Sequence, residues 1–144
     1  MMDSTLYSRD ILRLATALEA GDRLQNPDGT AECRSPVCGS RIEADLNLAD
    51  DGAIAEIAIR ANACALGQAS AAILRSNAVG ADLAVISDMR DKIEMALKKN
   101  GDMPQNWHDL VVLTPARNYP SRHAAILLPY DALLAAADKI IPIS

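Results

Sequence analysis

Phenylalanine is absent from this chain of 144 residues, and one tryptophan and three tyrosines are its only aromatics. Half the residues are nonetheless hydrophobic, so Ala, Leu and Ile must fill the interior, and cores of that kind usually come from closely packed helices. Positive charge is also scarce: 14 Lys and Arg face 19 Asp and Glu, for a net charge of −5. Phosphate backbones and anionic lipids have no electrostatic reason to approach such a chain, which argues against nucleic acid or a membrane as partner. No run reaches the ~20 apolar residues that cross a bilayer. The opening MMDSTLYSRD is polar and acidic and reads as neither a secretion signal nor an Arg-rich transit peptide. The expectation is a cytoplasmic protein whose thiols stay reduced. Phosphate-binding glycine loops, dinucleotide fingerprints, HExxH pairs and serine-nucleophile motifs are missing as well.

What is present suggests one domain over 1–144, without repeats or low-complexity tracts. Tyr7, Ile11, Leu14 and Leu18 form one stripe of an amphipathic helix over residues 4–20, which Gly21 can close. A loop rich in Gly, Pro, Asp and Ser follows, up to Ser40. From Arg41 the period changes to two: Ile42, Ala44, Leu46 and Leu48 alternate with Glu43, Asp45 and Asn47, a half-buried strand. The turn ADDG leads to a second strand containing Ile54, Ala55, Ile57 and Ile59, so 41–60 reads as a β-hairpin. A lone hairpin is marginal in water, so a third strand from the loop before Cys38, or the helices that follow, must cover it. Helices are predicted from about residue 63 to Gly80 and over 81–98, a short one over 107–113, and a last one over 121–138 in which Pro129 should cause a kink or a restart.

Three cysteines, Cys33, Cys38 and Cys64, are in a reducing compartment more consistent with free thiols, metal ligands or nucleophiles than with disulfides, although small buried thiols are common in cores. Cys38 precedes Gly39 in SPVCGS, where a flexible backbone can turn N–H groups toward a sulfur. Cys64 opens the helical run ACALGQAS, and a thiol in the first turn meets the positive end of the helix dipole, which favours the thiolate. The hairpin starts just after Cys38 and returns just before Cys64, so antiparallel pairing carries the two thiols toward one end of the sheet. His108 and Arg122 read as surface or helix-start residues, and Ser70 as a residue that packs or bonds back to its own helix.

These segments resemble the iron-sulfur cluster assembly scaffolds of the IscU, SufU and NifU N-terminal type. LYSRDILRLA is similar to the family's first helix, SPVCGS to its Pro-x-Cys-Gly-Asp loop, and ANACALGQASAAIL to its Gly-Cys-x-(Ile/Leu)-x-x-Ala-Ser segment. WHDL and YPSRHAAILLPYDALLAA resemble the SufU-like ending. The resemblance implies an α+β fold, a three-stranded antiparallel sheet packed against several helices. It also implies a site of three cysteines and one aspartate that takes sulfur from a cysteine desulfurase, binds zinc or a nascent [2Fe-2S] cluster, and serves apo iron-sulfur proteins. By position the first two cysteines are Cys38 and Cys64, with Cys38 the sulfur acceptor. The family's aspartate is replaced by Ser40 and its third cysteine by Ala125. Iron, a transient [2Fe-2S] cluster, zinc or no metal at all remain open, since zinc and [2Fe-2S] sites want four ligands. Cys33 and His123 are the candidate substitutes, and a dimer sharing two Cys38/Cys64 pairs is another, so the chain is expected to be a monomer or dimer. The function implied is a scaffold or sulfur carrier without turnover on a small substrate. The alternatives are an interaction or regulatory module of the same pathway, or a zinc-bound member.

Overall fold

A computed structural model of the protein describes residues 8–18, 23–36 and 39–140. Helix α1 (Arg9–Ala17) begins where the Ser8 hydroxyl accepts a hydrogen bond from the Ile11 N–H at 3.3 Å, a side-chain cap for an otherwise orphaned donor. It buries Ile11, Leu14 and Ala15. The helix is shorter than the periodicity suggests, because Ser8 caps its start and Leu18 already has extended backbone. Tyr7 and Gly21, the outer residues of the predicted stripe and its closure, lie outside the described residues.

Three strands follow, β1 (Gly29–Arg34), β2 (Arg41–Leu48) and β3 (Ile54–Asn62), paired antiparallel in that order. The α+β class and the three-stranded sheet are thus as expected, and the third strand comes from the segment before Cys38. Residues 29–34, read as loop from composition, form an edge strand because Gly29 and Ala31 bury against the core while Thr30, Glu32 and Arg34 face outward. Gly29 is required there: a Cβ would collide with the Ala136 carbonyl of the last helix. The second hairpin turns through Gly52, whose φ of +91° suits glycine, and the register slips by a bulge at Asn47/Leu48.

The outer face of the sheet is less simply polar than its alternation implies. Asp45 is wholly buried there. Its Oδ2 and Oδ1 accept from Arg60 at 2.9 and 3.1 Å, and the carboxylate also accepts from the Leu24 N–H and the Thr30 hydroxyl. Burial alone would raise the Asp45 pKa, but the hydrogen bonds from Arg60, Leu24 and Thr30 outweigh it and hold the carboxyl below its ordinary range.

The inner face carries Ile42, Ala44, Leu46 and Ile59, all fully buried, and the last helix, α4 (His123–Ile140), packs on it. Between α1 and α4 lies α2 (Ala65–Ala78), buried on nearly every side through small residues. Helix α3 (Leu83–Lys98) closes the other flank of α4 through Ile86, Met89 and Ile93. The predicted short helix at 107–113 is instead a longer 3-10 segment, His108–Asn118, followed by a 3-10 turn at Pro120–Arg122. Pro115 lies inside the first of these and has no N–H for a helical ladder. Pro129 does not restart α4, which runs unbroken past it. No helix among the described residues is long and apolar enough to cross a membrane.

Candidate thiol site at one end of the sheet

The β1–β2 connection is built by its flanking residues. The last pair of the ladder is Arg34 with Arg41. Beyond it the Ser35 N–H donates to the Ser40 carbonyl at 2.9 Å and the Gly39 N–H to the Ser35 carbonyl at 2.8 Å. Gly39 has φ +71° and stands exposed, a backbone shape that glycine adopts without strain. Cys38 belongs to this connection in sequence and lies outside the described residues.

Register then determines what stands beside the connection. Arg41 pairs with Asn62, so β3 leaves the sheet at the end where Ser35 and Ser40 are bonded. Two residues on, Cys64 is the N-cap of α2, half-buried, with extended backbone and no hydrogen bond from its side chain to the helix. Its carbonyl accepts the Gln68 N–H at 2.9 Å. The thiol is therefore not occupied as a cap, and the free N–H groups of the first turn lie next to it.

The two positions that depart from the family pattern are at this end too. Ser40 closes the connection and is almost fully buried. Ala125, in the first turn of α4, is 1% exposed and packs on α2 at Gly67, where an added Cβ would lie 2.9 Å from Ala63 Cβ and 3.6 Å from Ala125 Cβ. Ser70 ties the same helices together: it packs in the core, one of the two roles expected of it, and its hydroxyl donates to the Ile126 carbonyl at 2.6 Å, a bond between α2 and α4 rather than back within α2.

The candidate substitute ligands are placed differently. Cys33 sits in β1 opposite Ile42 and packs against the core, not on a flexible loop. Burial pushes its thiol pKa up, and the nearby charges of Asp131 and Glu32 push it further, so it resists forming the thiolate that metal binding needs. His123 opens α4, and its Nε2 lies 2.9 Å from the Ala116 carbonyl oxygen. A carbonyl only accepts, so Nε2 carries the proton and Nδ1 is the one ring nitrogen left for a metal. His108 is exposed on the 3-10 segment, and Arg122 ends the next 3-10 turn. Among the described residues, no three His, Cys, Asp or Glu side chains are grouped so as to hold a metal ion.

One feature of this end was not anticipated from sequence. A cleft of about 360 Å³ opens between the end of β1, α3 and α4, bordered by Ser35, His123, Ala124 and Leu128. The Ser35 hydroxyl is buried there with no hydrogen-bond partner among the described residues.

The chain is thus of the α+β class, with a three-stranded antiparallel sheet packed against helices and Cys64 two residues beyond the end of β3. The chain belongs to the NifU-like N-terminal domain family, whose model matches residues 7–124; this is an iron-sulfur cluster assembly scaffold family of the IscU, SufU and NifU type. It is similar to the iron-sulfur cluster assembly scaffold protein IscU of Thermotoga maritima, 22% identical over 97% of this chain and 98% of that protein. Among solved structures it is similar to the N-terminal part of a nitrogen-fixing NifU-like protein from Brucella abortus, with a TM-score of 0.90, 34% identity and 97% of each chain covered. A candidate iron-sulfur cluster assembly scaffold protein for the SUF system from Fervidobacterium islandicum AW-1 shares the fold, with a TM-score of 0.80, 20% identity, and 92% and 97% of the two chains covered.

Proposed function

We propose that this protein takes sulfane sulfur from a cysteine desulfurase on Cys38, shares it with Cys64, and transiently holds iron or a [2Fe-2S] cluster as cargo for apo iron-sulfur proteins. The observation that carries the reading is the sheet register, Arg34 with Arg41 and Arg41 with Asn62, which sets the connection containing position 38 beside the exit of β3 toward Cys64. In the transfer step a Cys38 thiolate attacks the terminal sulfur of the donor persulfide. A new S–S bond forms as the donor's S–S bond breaks, and the donor cysteine leaves as a thiolate that takes up a proton, so there is no net oxidation.

Cargo holding is limited by the donor set. Two thiols fall short of the four ligands that a [2Fe-2S] cluster or structural zinc takes, and Ser40 and Ala125 are closed in by packing. His123 Nδ1 is the third donor the chain supplies, while Cys33 stays a packed thiol. Iron is accordingly held weakly unless a second copy or an external ligand completes the set, and the chain acts as a carrier without turnover of its own.

A second reading, an interaction or regulatory module of the same pathway, is favoured by the same two replacements. Sulfane-sulfur transfer from a cysteine desulfurase, followed anaerobically with metal and acid-labile sulfide analysis, separates the two. Transfer to the wild-type chain that is lost in Cys38→Ser is the expected result. Desulfurase binding without transfer or iron favours the module, and zinc without transfer favours a zinc-bound member.

A further inference from the structure

The 3-10 segment His108–Asn118 runs for 11 residues, whereas such runs seldom exceed about four. Three residues complete a turn of a 3-10 helix, so the side chains at i and i+3 stand one above the other. His108, Val111, Thr114 and Arg117 have that spacing, and all four line one cavity of about 620 Å³, which Met103 and Pro104 help to close. This is a usual size for a ligand pocket, ~300 to 1,000 Å³. In an α-helix the same stretch would turn ~100° per residue and put His108 and Arg117 on opposite faces; the 3-10 form is what makes them one column. At ~2.0 Å per residue the column is about 18 Å long, a span that about five residues of extended chain cover at ~3.3 Å each.

The last rung is a guanidinium that is held in place and short of a counter-ion. Arg117 Nη1 donates to the Gly101 carbonyl at 2.9 Å and to the Asn100 carbonyl at 3.3 Å, just past the end of α3. Nε is buried without a partner among the described residues, and Nη2 is the one nitrogen with neither a bond among them nor enclosure. Asp102 borders the same cavity but forms no ion pair with Arg117. A half-buried cation without a carboxylate carries a desolvation cost that an anionic ligand relieves. Above it, Thr114 and His108 offer a hydroxyl and an imidazole with no hydrogen-bond partner among the described residues, and Val111 presents an apolar side chain that is 60% exposed. We propose that this column binds the end of an extended partner peptide, its terminal carboxylate on Arg117 Nη2 and an apolar side chain against Val111. The segment stops at Asn118, so the guanidinium closes the column, which favours a chain terminus over an acidic side chain in mid-chain. The length of the column favours a peptide over a small acid. None of Ser35, Ser40, Cys64 or Ala125 borders the cavity, so the inference stands independently of the scaffold reading.

The probe is an acetylated peptide of four alanines and a terminal leucine, titrated into the full chain by calorimetry and amide NMR, once as the free acid and once as the C-terminal amide. Saturable shifts are expected at Val111, Thr114 and Arg117, and the acid should bind about tenfold more tightly than the amide, the worth of a hydrogen bond to a charged group. Arg117→Gln should abolish that difference. Because this variant also loses the bonds to Asn100 and Gly101, its fold is checked by thermal unfolding. Val111→Asp changes an exposed side chain and adds a like charge beside the bound carboxylate, so it should weaken the acid about threefold, and it carries the test if Arg117→Gln does not fold. No saturable shift, equal binding of acid and amide, or an affinity for the acid that Val111→Asp leaves unchanged would overturn the proposal. Hexanoate or inorganic phosphate binding as tightly as the peptide acid would overturn it too, by reducing the column to a simple anion site.

Discussion

At the residue scale, two buried polar groups have opposite consequences. The Asp45 carboxylate is fully enclosed and satisfied by Arg60, Thr30 and the Leu24 N–H. Asp45→Asn removes the charge that meets the mostly enclosed Arg60 guanidinium at 2.9 and 3.1 Å, and should cost about 3 kcal/mol in urea unfolding. The folded pKa of Asp45 is lowered, so the stability it contributes is fully present above the unfolded value near ~3.9 and is lost as pH falls through the folded value. Unfolding midpoints measured from pH 6 downward should fall below about pH 4 more steeply in the wild type than in Asp45→Asn. The Tyr130 hydroxyl is buried without a partner among the described residues, and burial holds its pKa above the ordinary range. Tyr130→Phe keeps the stacking on Trp107 at 6.2 Å and removes an unsatisfied group, so it should leave stability unchanged or raise it by about 1 kcal/mol. A loss of more than that would mean the hydroxyl has a partner. Neither group was legible in the sequence. Asp45 alternates as an outward strand residue, and its burial depends on Arg60 and on the segment at Leu24, both remote along the chain.

At the scale of elements, the second hairpin was legible because Ile42, Ala44 and Leu46 alternate with polar residues and a Gly-containing turn follows. Strand β1 was not: GTAECR has few apolar side chains, and its place depends on Gly29 admitting α4. Gly29→Ala should therefore push β1 from α4 and cost about 1–3 kcal/mol, read as a lower denaturation midpoint. An unchanged midpoint would show that the helix yields easily. The 3-10 segment was missed because its local sequence, WHDLVVL, fits an α-helix over about two turns, and only Pro115 signals otherwise. Ser70 shows the same limit at the helix contact. Its spacing within α2 allows a local bond, while the acceptor it uses, on Ile126, belongs to an element 56 residues away. Ser70→Ala should cost about 1 kcal/mol and loosen α4 against α2, visible as faster amide exchange in the first turns of α4.

Across the whole molecule, sequence order alone indicated that the chain segments on either side of the hairpin end together, and the register of the sheet brings Arg34, Arg41 and Asn62 to one end, next to Ser35, Ser40 and the exit toward Cys64. The cleft was illegible because its walls come from β1, α3 and α4, which no local pattern relates. Ser40 and Ala125 were visible as departures from the family's ligand pattern, yet only packing shows that both are closed from solvent. The account therefore depends on Cys38 and Cys64 acting on one atom. X-ray absorption on the anaerobic cobalt-loaded protein measures this directly: at least two sulfur neighbours per metal at about 2.3 Å are predicted, falling by one or more per chain in Cys38→Ser and in Cys64→Ser. A first shell of oxygen and nitrogen only, or a sulfur count that neither variant changes, would contradict it.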